Sequence, residues 1–248
     1  MKAAAEHLTS VTLELGGKNP VFVDSTADVA LAAKRTVWGR MMNAGQQCIA
    51  PDYVLVHKAV APAFLEACKK VIADFYQGDA KVCKGLCARA PTSQLTPICV
   101  CVAVGGRGCL QDGIGRIVND RHFQRLQTTV RVIAMHFSHR ALMRALSTRQ
   151  VLTNHGGKII CGGNSIPEER YIEPTVLSLP LDSPAMDDET FGPVLMVATV
   201  DSMDDAIRYV AGREKSLSQY IFSNSKAMQV RAGAGLASMA VYGGRIVS

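Results

Sequence analysis

Residues 24–56 read DSTADVALAAKRTVWGRMMNAGQQCIAPDYVLV, and two periodicities meet inside them. From Val29 the apolar positions Ala33, Val37 and Met41 recur every four residues, the spacing that puts them on one face of a helix. Asp24 to Asp28 supply residues that start helices, and Asn43 to Gly45 supply a stop. After the stop comes a loop of glycine, glutamine and small residues, and then Tyr53 to Val56, an apolar run with the character of a strand. A helix feeding a strand through a short loop is half of a β-α-β unit. The rest of the chain repeats the theme.

Further strand-like runs are Val11 to Leu15, Lys158 to Cys161, Val194 to Val200 and Gln219 to Phe222. Phe64, Cys68, Val71 and Phe75 make a second helical stripe. Ser202 to Asp205 resembles a capping box that opens a helix carrying Ile207 and Val210. Strands alternating with helices predict an α/β fold with an open, mostly parallel sheet and flanking helices.

The chain has 248 residues, 48% of them hydrophobic, enough for a packed core. Ile98 to Val104, its most apolar run, is too short to cross a bilayer, so no membrane segment is expected. The N-terminus lacks the apolar core of a secretory signal, and a cytoplasmic location is the expectation. Eight cysteines without regular spacing suit reduced thiols better than a disulfide framework.

The net charge of +6 invites a nucleic-acid reading, but its distribution argues against one. Residues 82–111 carry Lys84, Arg89 and Arg107 with no acid, and residues 128–152 carry four arginines with no acid. Removing these seven from the 27 basic residues leaves 20 against 21 acidic. No nucleic-acid partner is expected.

The chemistry centres on Cys48 and Glu14. Cys48 lies in the loop between the first helix and its strand, where rigid elements present reactive groups. A free thiol titrates near about 8.5, so a nucleophilic Cys48 needs N–H groups or positive charge beside it. Glu14 stands at the end of the Val11–Leu15 run, ahead of Gly16 and Gly17, which let the backbone turn sharply. Ligands of open α/β sheets bind beyond the carboxyl ends of strands, and that rule puts both residues on one rim.

Two strings carry a resemblance. Thr12-Leu13-Glu14-Leu15-Gly16-Gly17-Lys18 and Gly45-Gln46-Gln47-Cys48-Ile49-Ala50-Pro51-Asp52-Tyr53 resemble active-site signatures of the aldehyde dehydrogenases, of the class-3 or fatty-aldehyde type. The similarity runs from about Ala3 to Gln77, resumes from Gly115 to Gln127, and continues from about His155 to Met228. Asp188-Glu189-Thr190-Phe191-Gly192-Pro193 resembles a third family motif.

The resemblance implies that Cys48 is the nucleophile and Glu14 the general base. It implies that Glu189 binds the nicotinamide ribose and that Phe191 packs by the nicotinamide, with Gly16 also on the coenzyme side. The coenzyme would be NAD or NADP, and the substrate a medium or long aliphatic aldehyde or an aromatic one. A homodimer is implied as well. In this light residues 1–230 are the catalytic domain, with 1–15 the end of a coenzyme domain and 82–111 and 128–152 non-family insertions. Residues 231–248 form a non-matching tail. Two readings of activity stay open: aldehyde oxidation, or a non-catalytic binding or interaction piece.

Weaker signals remain. Cys83, Cys87, Cys99, Cys101 and Cys109 lack the paired two-residue spacers of a zinc site and have no histidine among them, so no metal is expected. Val102 to Gly108 mimics a strand entering a phosphate loop but matches no full motif. Thr128 to Leu152 could form an amphipathic helix with Val132, Leu142 and Leu146 on one side.

Overall fold

The computed structural model describes residues 1–76, 80, 114–134, 157–235 and 240–243. After a short helix α1 (Lys2–Glu6), a seven-stranded sheet is built from β1 (Asn19–Val23), β2 (Pro51–His57), β3 (Lys158–Cys161), β6 (Thr175–Ser178), β7 (Val194–Val200), β8 (Ser218–Phe222) and β9 (Ala240–Gly243). Their order across the sheet is β3-β6-β7-β2-β1-β8-β9. Every neighbouring pair is parallel except β3 with β6. The strands β4 (Ser165–Ile166) and β5 (Tyr171–Ile172) pair antiparallel as a separate ribbon. An α/β fold with an open, mostly parallel sheet and flanking helices is what the sequence predicts.

Helix α2 (Val29–Met41) connects β1 to its neighbour β2, and Asp28 caps it by accepting from the Leu31 N–H at 3.0 Å. Its predicted stripe holds: Ala33, Val37 and Met41 are buried. Helix α3 (Ala61–Tyr76) packs beside α2, burying Phe64 and Cys68 fully and Val71 and Phe75 in part. Helix α4 (Asp120–Ala134) buries Phe123, Leu126 and Val130. On α5 (Met203–Ala211), Ser202 caps the Asp205 N–H, and α6 (Lys226–Gly235) packs against α5 and β8. Both α6 beyond residue 230 and β9 lie in the segment that the sequence sets apart as a tail.

The central strands are buried on both faces, so they read as continuous apolar runs and not as alternations. That explains one of the strands the sequence misses. β1, Asn-Pro-Val-Phe-Val, has no alternation, and its proline argues against a central strand. Pro20 is tolerated because pairing with β8 starts only at Val21, where an N–H is again present.

Conversely, Val11 to Leu15 forms no strand. All five residues are exposed, Leu15 at 87%, and among the described residues no strand pairs with them. Alternation alone does not make a strand without a partner for the backbone. The five-cysteine stretch, Val102 to Gly108, Leu142 and Leu146 lie outside the described residues. Among the described residues no helix is long and apolar enough to cross a membrane.

Candidate active site

Three loops converge on the sheet. One precedes β1 and holds Gly16, Gly17 and Lys18; one precedes β2 and holds Cys48; the third precedes β7 and holds Glu189 and Phe191. Because the three strands are parallel, all three loops sit at their amino ends. The rim these loops share is the opposite one from the carboxyl-end rule. The site is built where the chain enters the strands.

Close packing joins the loops. A Cβ on Gly17 would stand 2.4 Å from the Cys48 carbonyl oxygen, and one on Gly45 would stand 2.1 Å from the Gly192 carbonyl oxygen. Only glycine allows either approach. Asn43 and Ala44 turn the chain into the Cys48 loop with left-handed φ values of 50° and 53°. The Gln46 side chain then pins this loop to its neighbour, donating to the Arg116 carbonyl and accepting from the Val118 N–H.

Cys48 is exposed, and among the described residues its backbone N–H has no acceptor. Its carbonyl is held by the Asn19 amide at 2.8 Å. Glu14 is also exposed and makes no hydrogen bond or ion pair among the described residues. The structure thus brings the glycines after Glu14 against Cys48 and leaves the carboxylate itself free.

Glu189 is half-buried and accepts from the Gly17 N–H. Its carboxyl is held above the ordinary range by burial first, with the Asp52 charge adding to the rise and the Gly17 bond opposing it. Gly16, at φ +128°, passes so close beneath that a Cβ would lie 2.6 Å from Glu189 Oε2. Phe191 is half-buried with φ 46°, an uncommon conformation for a residue with a side chain.

Sequence reasoning missed the buried charges behind these loops. Asp52 is fully buried and accepts from Lys18 Nζ at 2.6 Å, Arg40 Nη1 at 2.9 Å and the Thr190 N–H at 3.0 Å. Burial pushes its carboxyl up, but the Arg40 and Lys18 charges outweigh that and hold it below the ordinary value. Lys18 also donates to the Asp188 carbonyl at 2.7 Å, and Arg125 of α4 donates to the Thr190 carbonyl at 2.8 Å. The available signal was a charged residue at the second position of an otherwise apolar strand. Among the described residues no cluster of histidine, cysteine or acidic side chains could hold a metal.

The sequence model of the aldehyde dehydrogenase family matches residues 1–98 and 125–242, and the chain belongs to that family. It is 38% identical over 232 residues to human (Homo sapiens) aldehyde dehydrogenase family 3 member B1, covering 93% of this chain and 38% of that protein. It is 36% identical over 227 residues to the dimeric NADP-preferring aldehyde dehydrogenase of Rattus norvegicus, covering 91% of this chain and 39% of that one. The solved substrate-bound state of Staphylococcus aureus AldH superposes with a TM-score of 0.73 at 33% identity, over 99% of this chain and 43% of the other. The chain spans about two fifths of the length of the curated relatives it matches.

Proposed function

We propose that this chain carries the reacting half of an NAD(P)-dependent aldehyde dehydrogenase, with Cys48 as nucleophile and Glu14 as general base. The observation that carries the reading is the convergence of the Gly16–Gly17 turn, the Cys48 loop and the Glu189 loop at the amino ends of β1, β2 and β7. The names of the family 3 relatives, one of them NADP-preferring and dimeric, support the same coenzyme class and a homodimer.

The Cys48 thiolate adds to the aldehyde carbon, and the carbonyl oxygen takes the negative charge. The free Cys48 backbone N–H is one donor available to that oxygen, in the manner of an oxyanion hole. The residues present suit a nicotinamide ribose: Glu189 offers a partly exposed carboxylate, and the missing Cβ of Gly16 lets the backbone pass directly against it. Phe191 offers a flat apolar face for the ring. Glu189 and Phe191 would hold a nicotinamide coenzyme, which would supply the acceptor for the hydride that the Cys48 adduct loses from the former aldehyde carbon in becoming a thioester. Exposed Glu14 then takes a proton from water, whose oxygen attacks the thioester carbon. The C–S bond breaks, the thiol returns, and the carboxylic acid leaves.

The test is turnover of the purified chain with NADP or NAD and an aliphatic or an aromatic aldehyde, followed by reduced-coenzyme absorbance. Expected results are loss of turnover in Cys48→Ser and, in Glu14→Gln, acylation with deacylation slowed by about 10²-fold or more. Wild-type chain that binds coenzyme but forms no Cys48 thioester with either aldehyde overturns the proposal.

A further inference from the structure

We propose that Asp52 is the positioning residue of this site: its one buried carboxylate holds the turn before β1, the exit of the Cys48 loop and the loop before β7 in a single arrangement. The consequences for catalysis rest on the function proposed above, whereas the mechanical role stands on the contacts themselves.

Those contacts come from three separate parts of the chain. Oδ2 accepts from Lys18, which directly follows the paired glycines. Oδ1 accepts from Arg40 near the end of α2 and from the Thr190 N–H. Lys18 continues to the Asp188 carbonyl, so the residues on both sides of Glu189 are tied to the same carboxylate, one directly and one through Lys18. Asp52 itself lies four residues after Cys48, with Ala50 between them held by the Asn19 amide at 2.9 Å.

A fully buried ion pair is a poor source of stability, because desolvating both charges offsets their attraction. Arg40 illustrates this: its Nε and Nη2 are buried without a hydrogen-bond partner among the described residues. What the arrangement provides is geometry. Each oxygen of Asp52 accepts in a fixed direction, and moving any one of the three loops breaks a bond in a medium where it is expensive to break.

Asp24 offers an internal comparison. It is also buried, and it accepts from Ser25, Thr26 and Ser223, joining the carboxyl ends of β1 and β8. It makes no hydrogen bond to any of the three loops. Loss of its charge should weaken the fold without disturbing the site.

The experiment compares the full chain with its Asp52→Asn and Asp24→Asn variants, without coenzyme, by amide hydrogen exchange and by the rate of Cys48 alkylation with iodoacetamide. In Asp52→Asn, exchange should rise about tenfold in peptides covering Gly16–Lys18, Ala44–Ala50 and Asp187–Gly192 together. Cys48 alkylation should change by about fivefold or more, since small misplacements alter reactivity strongly. Asp24→Asn should stay within about twofold of wild type in both readouts while melting lower. Should Asp52→Asn fail to fold, Lys18→Met removes one arm alone and should loosen Gly16–Lys18 and Asp187–Glu189 while sparing the sheet. Uniform loosening across the sheet, or an effect on the three segments no larger than that of Asp24→Asn, overturns the proposal. Absence of aldehyde turnover in the wild type would count against the proposed function and leave these exchange results untouched.

Discussion

Asn19, the first residue of β1, donates its side-chain amide to the carbonyl oxygens of both Cys48 and Ala50, at 2.8 and 2.9 Å. Its own side-chain oxygen accepts from the Ser218 N–H at 2.8 Å. One buried amide therefore satisfies three backbone groups at neighbouring strand entrances and fixes the stem of the Cys48 loop.

Asn19→Ala should cost about 3 kcal/mol, because it strands those buried groups without partners. Urea unfolding monitored by circular dichroism measures the loss. Asn19→Asp should cost at least as much, since a carboxylate has no N–H to donate to the Cys48 and Ala50 carbonyls.

Gly45→Ala should separate the Cys48 loop from the Glu189 loop. The new methyl meets the Gly192 carbonyl on a residue whose φ is +70°, and backbone strain of this kind costs about 1–3 kcal/mol before the steric clash is counted. The expected outcome is a lower melting temperature together with a raised KM for coenzyme.

Ser202→Ala should cost about 1 kcal/mol by removing the cap of α5, where Ser202 Oγ accepts from the Asp205 N–H at 3.2 Å. Thermal unfolding checks the magnitude. Cys48 alkylation should be unchanged, because α5 touches none of the three site loops through this bond.

Acid should destabilise the chain through Asp52 and Asp24. Burial raises both carboxyls. For Asp52 the Arg40 and Lys18 charges outweigh it, and for Asp24 the Thr26, Ser223 and Ser25 hydrogen bonds do, so both titrate below the ordinary carboxylate value.

As pH falls through about 4, the unfolded chain takes up protons at these positions before the folded one does. The stability they contribute is therefore complete above the ordinary carboxylate range and is lost as pH drops below it. Urea titrations between pH 7 and 3 should show this decline, and Asp24→Asn should flatten part of it.

Much of the architecture was legible locally. The Ala33, Val37 and Met41 stripe, the Asp28 cap and the Ser202 cap depend on residues three or four positions apart, and helices form from such neighbours. The same holds for β3 and β7, whose apolar, β-branched runs mark their bounds. Val11 to Leu15 shows the limit. Its alternation is a local pattern, but a strand needs a partner from elsewhere in the chain, and among the described residues none stands beside it.

The sequence by itself determined that this is an α/β chain of the aldehyde dehydrogenase family and that Cys48 sits in a loop between a helix and a strand. The residue types and their spacing are local information. Only the tertiary structure decided that the three site loops meet at the amino ends of the strands, because that depends on β1, β2 and β7 lying parallel across the sheet. It also decided that Asp52 ties Lys18, Arg40 and Thr190 together. Those partners come from residues as far as 138 positions away, and folding alone brings them within hydrogen-bond distance.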